Sequence, residues 1–151
     1  MLSWYELFPL FSYIAQRGSC RGCGAYIPSR YFTVELLTAF LYVSVWHLFS
    51  GDLFVLSLYA ILVSLLVVIF VYDMRHTIIP DELTLAVLGV VLTLVGYEYI
   101  QGGDIARIGI QLFSGLGAGL FFFGLWFASK GKWIGLGDAK LAFPLGVLAY
   151  G

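Results

Sequence analysis

The sequence predicts an all-α bundle of membrane-spanning helices with a small, loop-rich segment at its amino end. Three observations carry that prediction. Of 151 residues, 61% are hydrophobic and only 11% charged, with a mean hydropathy of +0.95. Ordinary soluble domains carry roughly 25% charged residues, and a single core of this size cannot hide so much apolar surface. The second observation is a set of apolar runs long enough to cross a bilayer. The third is a one-sided distribution of the basic residues.

A membrane-crossing helix needs about 20 mostly apolar residues. Residues 34–49, 53–72, 83–100 and 108–129 meet or approach that length. A fifth stretch, 141–151, is too short and stops, so the chain reads as a piece cut inside its fifth span. Residues 1–33 are less apolar, carry Arg17, Arg21 and Arg30, and read as a cytoplasmic segment preceding a transmembrane domain at 34–151. The opening Met1-Leu2-Ser3-Trp4-Tyr5-Glu6 has no basic start followed by an apolar core, so no cleavable signal peptide is expected. If the first segment is cytoplasmic, alternating connections place Arg75, Lys130, Lys132 and Lys140 on its side and leave Arg107 opposite. The positive-inside rule selects that orientation. The other connections, Ser50-Gly51-Asp52 and Gln101-Gly102-Gly103-Asp104, have the small and polar residues of tight reversals. A net charge of −1 provides no basic face for phosphates, which argues against a nucleic-acid partner. The expected surroundings are a lipid bilayer.

Acids within or beside a span are costly, so each needs a reason. Asp52, Glu98 and Asp104 read as solvated charges of the outer turns. Asp81 and Glu82 follow Pro80 and open a helix, where proline fits the first turn and acids meet the positive end of the dipole. Asp73 ends the second apolar run, at the carbonyl end of its helix, where an anion gains nothing locally. Asp138 lies in Gly135-Leu136-Gly137-Asp138-Ala139-Lys140, where two glycines allow close backbone approach; alternatively it serves as a helix N-cap. Taken together, Asp73 and Asp138 fall on the cytoplasmic face. Two neighbouring carboxylates share a proton, so one can activate water while the other polarises a peptide carbonyl. Neither His47 nor His76 lies in a zinc-protease pattern or in a nucleophile pair. Glu35, one turn into the first span, reads as an anchor to Arg30 or as a group orienting a ligand. Lys140 either offsets Asp138 or follows the basic bias of its side. Cys20 and Cys23 form a C-x-x-C whose spacing suits metal or redox chemistry.

The stretch Tyr72-Asp73-Met74-Arg75-His76-Thr77-Ile78-Ile79-Pro80-Asp81-Glu82-Leu83-Thr84 resembles the first aspartate motif of type IV prepilin peptidases. Gly135-Leu136-Gly137-Asp138-Ala139-Lys140-Leu141 resembles their second, the G-x-G-D motif of membrane aspartyl proteases. Residues 3–13, Arg17-Gly18, Cys20-Arg21-Gly22-Cys23-Gly24 and residues 31–36 are similar to the family's cytoplasmic segment and first span. The resemblance implies a multi-pass protein of the bacterial inner membrane. It would cut the basic leader from prepilins or pseudopilins at the cytoplasmic face, with Asp73 and Asp138 as its catalytic pair and no cofactor for the peptidase step. Gly135, Gly137, Lys140, Pro80, Asp81 and Glu35 are the supporting motif positions. S-adenosylmethionine would be needed only where the N-methyltransferase activity of many members is retained. Members with a full cytoplasmic domain carry two C-x-x-C pairs; this chain has one, and two thiolates do not close a structural zinc site. The rival from another class is a non-enzymatic membrane subunit or transporter fragment that uses its acids for protons or ions. Such acids belong near the bilayer midplane rather than at its edge.

Overall fold

A computed structural model describes Phe8 and residues 10–150 of the chain, so residues 3–7 of the amino-terminal motif and the signal-peptide expectation lie outside the described residues. Among the described residues six helices follow in order: α1 (Phe11–Ala15), α2 (Ser29–Phe49), α3 (Leu53–His76), α4 (Asp81–Ile100), α5 (Ile105–Ser129) and α6 (Leu136–Leu148). Among the described residues no strand forms; Ser19 and Tyr26 make an isolated antiparallel bridge. Helices α2 to α5 are each long and apolar enough to cross a membrane. The predicted all-α fold is the observed one.

The helices run past the apolar stretches that signal them, because backbone hydrogen bonding continues into polar residues at either end. Helix α2 starts at Ser29, after an extended Pro28, rather than near residue 34. Helix α3 continues to His76, which puts Asp73 inside its last turn. Helix α6 starts at Leu136, five residues before the expected 141, so the G-x-G-D motif forms its first turn instead of preceding it. The turns between α2 and α3 and between α4 and α5 are built as their residues predict. Asp52 accepts the N–H groups of Phe54 and Val55, and Asp104 caps α5 by accepting from Ala106. Gly102 takes φ +85°, a conformation that costs glycine little.

The chain forms two compact units, Met1–Leu56 and Ser57–Gly151. The first holds α1, a turn at residues 19–26 and α2; Tyr13 of α1 stacks on Phe32 of α2 with ring centroids 5.2 Å apart. In the second, Leu62 and Ile69 of α3, Val87 and Val91 of α4 and Val147 of α6 form one buried cluster. Helix α5 packs mainly on α6, through glycine. A Cβ at Gly115 would sit 2.8 Å from the Phe143 carbonyl oxygen, and one at Gly146 would sit 3.0 Å from that of Ser114. Gly119 lies against Phe143 in the same seam, whereas Gly117 faces open space. Close backbone approach through small residues is how helices associate where lipid removes the hydrophobic drive between them. Phe113, Phe121 and Phe127 of α5 stay largely exposed on the isolated chain, a surface that lipid covers at no cost.

Candidate active site

Helix α3 presents Leu62, Leu66 and Ile69 to the core at helical spacing, and Asp73 follows Ile69 by four residues. Side chains four apart share a helix face, so Asp73 stands one turn beyond the core on the same stripe. The helix stops at Thr77, whose N–H donates to the Asp73 carbonyl at 2.8 Å. Thr77 holds φ +52°, a strained conformation for a β-branched residue, and this sharp stop lets Ile78-Ile79-Pro80 lead directly into α4. Asp73 is exposed, and among the described residues its carboxylate makes no hydrogen bond or ion pair.

Asp138 is the third residue of α6, not its N-cap; Gly135 takes the cap position. Its Oδ2 reaches back to accept the Gly135 N–H at 3.0 Å, half of a capping box whose other half glycine has no side chain to make. Three residues on, Leu141 packs against the buried cluster, so Asp138 also stands one turn beyond core-facing positions. Two contacts hold this first turn in place. A Cβ on Gly137 would lie 2.9 Å from the Ile79 Cβ. The Lys140 ammonium donates to Asp81 Oδ1 at 2.7 Å, across 59 positions of sequence. The linker that follows α3, the start of α4 and the start of α6 therefore meet at one end of this unit. Lys140 serves Asp81 rather than Asp138, and Asp81 answers α6 besides opening its own helix. Beside this turn, a groove of about 230 Å³ lined by Leu116, Gly119, Phe123, Leu136 and Phe143 runs along the α5–α6 seam.

The opposite end of the unit carries a polar group that sequence reasoning missed. Glu98 lies within α4, half-buried, and is not a solvated turn charge. Its Oε2 accepts from Gln111 Nε2 at 3.0 Å, and Arg107 Nε lies 3.7 Å from its Oε1. Gln111 is 1% exposed, and among the described residues its Oε1 finds no partner. A lone amide in an apolar run was the available signal.

In the first unit, Glu35 accepts the Leu10 N–H at 2.8 Å, while Arg30 lies over the Tyr31 ring, 5.5 Å from its centroid. The expected Glu35–Arg30 anchor is thus replaced by a tie between α2 and the residue preceding α1. A cavity of about 290 Å³ beside it is lined by Tyr13, Gln16, Cys20, Tyr31, Phe32 and Glu35. Cys20 and Cys23 sit on the turn closed by the Ser19–Tyr26 bridge, with Cys20 N–H donating to the Ala25 carbonyl at 2.9 Å, and neither is in a disulfide. Among the described residues no three metal-ligating side chains gather, and two thiolates alone do not close a tetrahedral zinc site.

Four helices able to span a bilayer, with Asp73 in the last turn of α3 and Asp81 and Asp138 in the first turns of α4 and α6, define a polytopic membrane protein bearing a candidate aspartic site. Residues 60–150 match the type IV leader peptidase family, and residues 1–49 match the bacterial peptidase A24 N-terminal domain. The chain belongs to the type IV leader peptidase family. Relatives named prepilin leader peptidase/N-methyltransferase include one from Myxococcus xanthus, 35% identical across 97% of this chain and 43% of the relative. One from Aeromonas hydrophila is 40% identical across 93% of this chain and 48% of the relative. One from Burkholderia pseudomallei is 34% identical across 94% and 45%. The chain thus spans a little under half the length of these relatives. No solved structure matches it.

Proposed function

We propose that the chain carries the aspartic dyad of a prepilin leader peptidase, with Asp73 and Asp138 as the catalytic pair. The observation that supports this best is their shared placement. Asp73 stands one turn after the core-facing stripe of α3, and Asp138 one turn before the core-packed Leu141 of α6, whose start meets the linker following α3 through Gly137–Ile79 and α4 through Lys140–Asp81. In the working pair one carboxylate is ionised and takes a proton from water as its oxygen attacks the scissile carbonyl carbon. The other, protonated, donates to the carbonyl oxygen. Collapse of the resulting diol breaks the C–N bond, and the released amine takes up a proton. Which aspartate plays which part is a property of the coupled pair.

The distribution of basic residues supports an inner-membrane protein with this end in the cytoplasm. Its substrate there would be a prepilin or pseudopilin whose apolar helix lies in lipid while its basic leader projects outward. The position of the acids at the end of the unit, rather than midway along its spans, favours hydrolysis over ion transport. A specific observation supports a second activity as well. The aromatic cavity beside Glu35 has the chemistry to hold the sulfonium of S-adenosylmethionine, as N-methylation would require.

The test is reconstitution of the protein in proteoliposomes with a synthetic prepilin, with products identified by mass spectrometry. The reading predicts a single cut at the junction of basic leader and apolar helix. An intact substrate, accompanied by proton or ion flux through the vesicles, would overturn it in favour of a transport role.

A further inference from the structure

We infer that Asp81 and Lys140 form a positioning pair that sets the register of Asp138 against Asp73. The inference rests on the dyad reading and deepens it. Asp81 is the first residue of α4 and Lys140 the fifth of α6, and the 2.7 Å contact between them joins two helix starts. The N-cap of α4 is Pro80, and among the described residues the Asp81 carboxylate bonds to Lys140 of α6. Gly137 lies three residues before Lys140 and therefore on the same face of α6. That face meets the 77–80 linker through Ile79 and α4 through Asp81. The linker itself begins where the Asp73 carbonyl accepts from Thr77. A chain of contacts thus runs from Asp73 through the linker to the turn bearing Asp138, and the ion pair is its charged fastening.

The pair is poorly suited to a purely stabilising role. Its side chains are 43% and 63% exposed, and pairs that open to solvent contribute little to stability. Position is another matter, because a displacement of about 1 Å between reacting groups can cost on the order of 100-fold in rate. Neither residue needs to touch substrate for this effect.

The test uses the full chain in detergent with a prepilin substrate and the variants Asp81→Asn, Lys140→Met, their double mutant, and Lys140→Arg. Each single change is expected to lower kcat about five- to tenfold, with KM altered less than twofold and the thermal midpoint unchanged. The double mutant should be no slower than the worse single mutant, since both remove the same contact. Lys140→Arg should restore kcat to within twofold. Unchanged kcat in both single variants, or losses that multiply in the double mutant, would overturn the pairing. Asp73→Asn and Asp138→Asn run alongside separate the two claims. If these cleave normally, the dyad itself is wrong; if they are inactive while the pair variants are normal, only the positioning role fails.

Discussion

Gly137 lies against Ile79 so closely that a side chain has no room: a Cβ would come 2.9 Å from the Ile79 Cβ. That Cβ is fixed to the backbone, so rotamer changes cannot relieve the clash. Gly137→Ala should therefore push α6 away from the linker, lowering kcat by at least tenfold and costing about 1–3 kcal/mol of stability. Gly135 is the contrasting position. An added Cβ there meets Asp138 Oδ2 at 3.5 Å and the Gly137 nitrogen at 3.9 Å, both ordinary contacts, and a hydroxyl at this N-cap would supply the missing half of the capping box. Gly135→Ser should keep activity within about twofold and hold or slightly raise the thermal midpoint. Kinetics and melting curves of the two variants check both statements.

The α5–α6 seam makes a second comparison possible within one short stretch. Gly115→Ala places a methyl group 2.8 Å from the Phe143 carbonyl oxygen and should cost about 1–3 kcal/mol. Gly117→Ala faces open space and should be neutral, or stabilising by up to about 1 kcal/mol through helix propensity. Melting in detergent, read by intrinsic fluorescence, distinguishes them; equal effects would refute the packing described for this seam.

At the opposite end of the same unit, Glu98→Ala should destabilise more than Gln111→Leu. The first leaves a buried amide with neither of its polar ends satisfied, a penalty of about 1–3 kcal/mol. The second removes the amide together with its orphaned oxygen. The same melting experiment reads the difference, and the reverse order would contradict it.

Glu35 gives a prediction local to the first unit. Glu35→Ala removes the acceptor of the Leu10 N–H, and hydrogen exchange at that amide should quicken about tenfold or more. Glu35→Gln retains an oxygen and should show a smaller change.

How much of this was legible in the residues varies with the range of the signal. The four spans and the place of Asp73 at a helix end follow from apolar length and dipole arguments, which are local. The start of α6 was not legible, because Gly135-Leu136-Gly137 has the composition of a loop. Its helical conformation is supported by the Asp138 reach-back to Gly135 and by Ile79, which occupies the space that a side chain at 137 would need. Lys140 could not be assigned from sequence, since its partner lies 59 positions away and the nearer Asp138 offered an equal choice. Glu98 looked like a turn residue because it stands close to Gln101-Gly102-Gly103. Only the facing Gln111 reveals that it points into a helix pair. Glu35 was paired with the nearest arginine, whereas the structure gives it a backbone donor from before α1.

The central claim is that Asp73 and Asp138 act as one catalytic unit, and the most direct measurement is prepilin cleavage by Asp73→Asn, Asp138→Asn and Asp81→Asn at equal protein concentration. The dyad predicts that the first two lose cleavage entirely, while Asp81→Asn retains a tenth or more of the wild-type rate. Substantial cleavage by either Asp73→Asn or Asp138→Asn, or complete loss confined to Asp81→Asn, would contradict it.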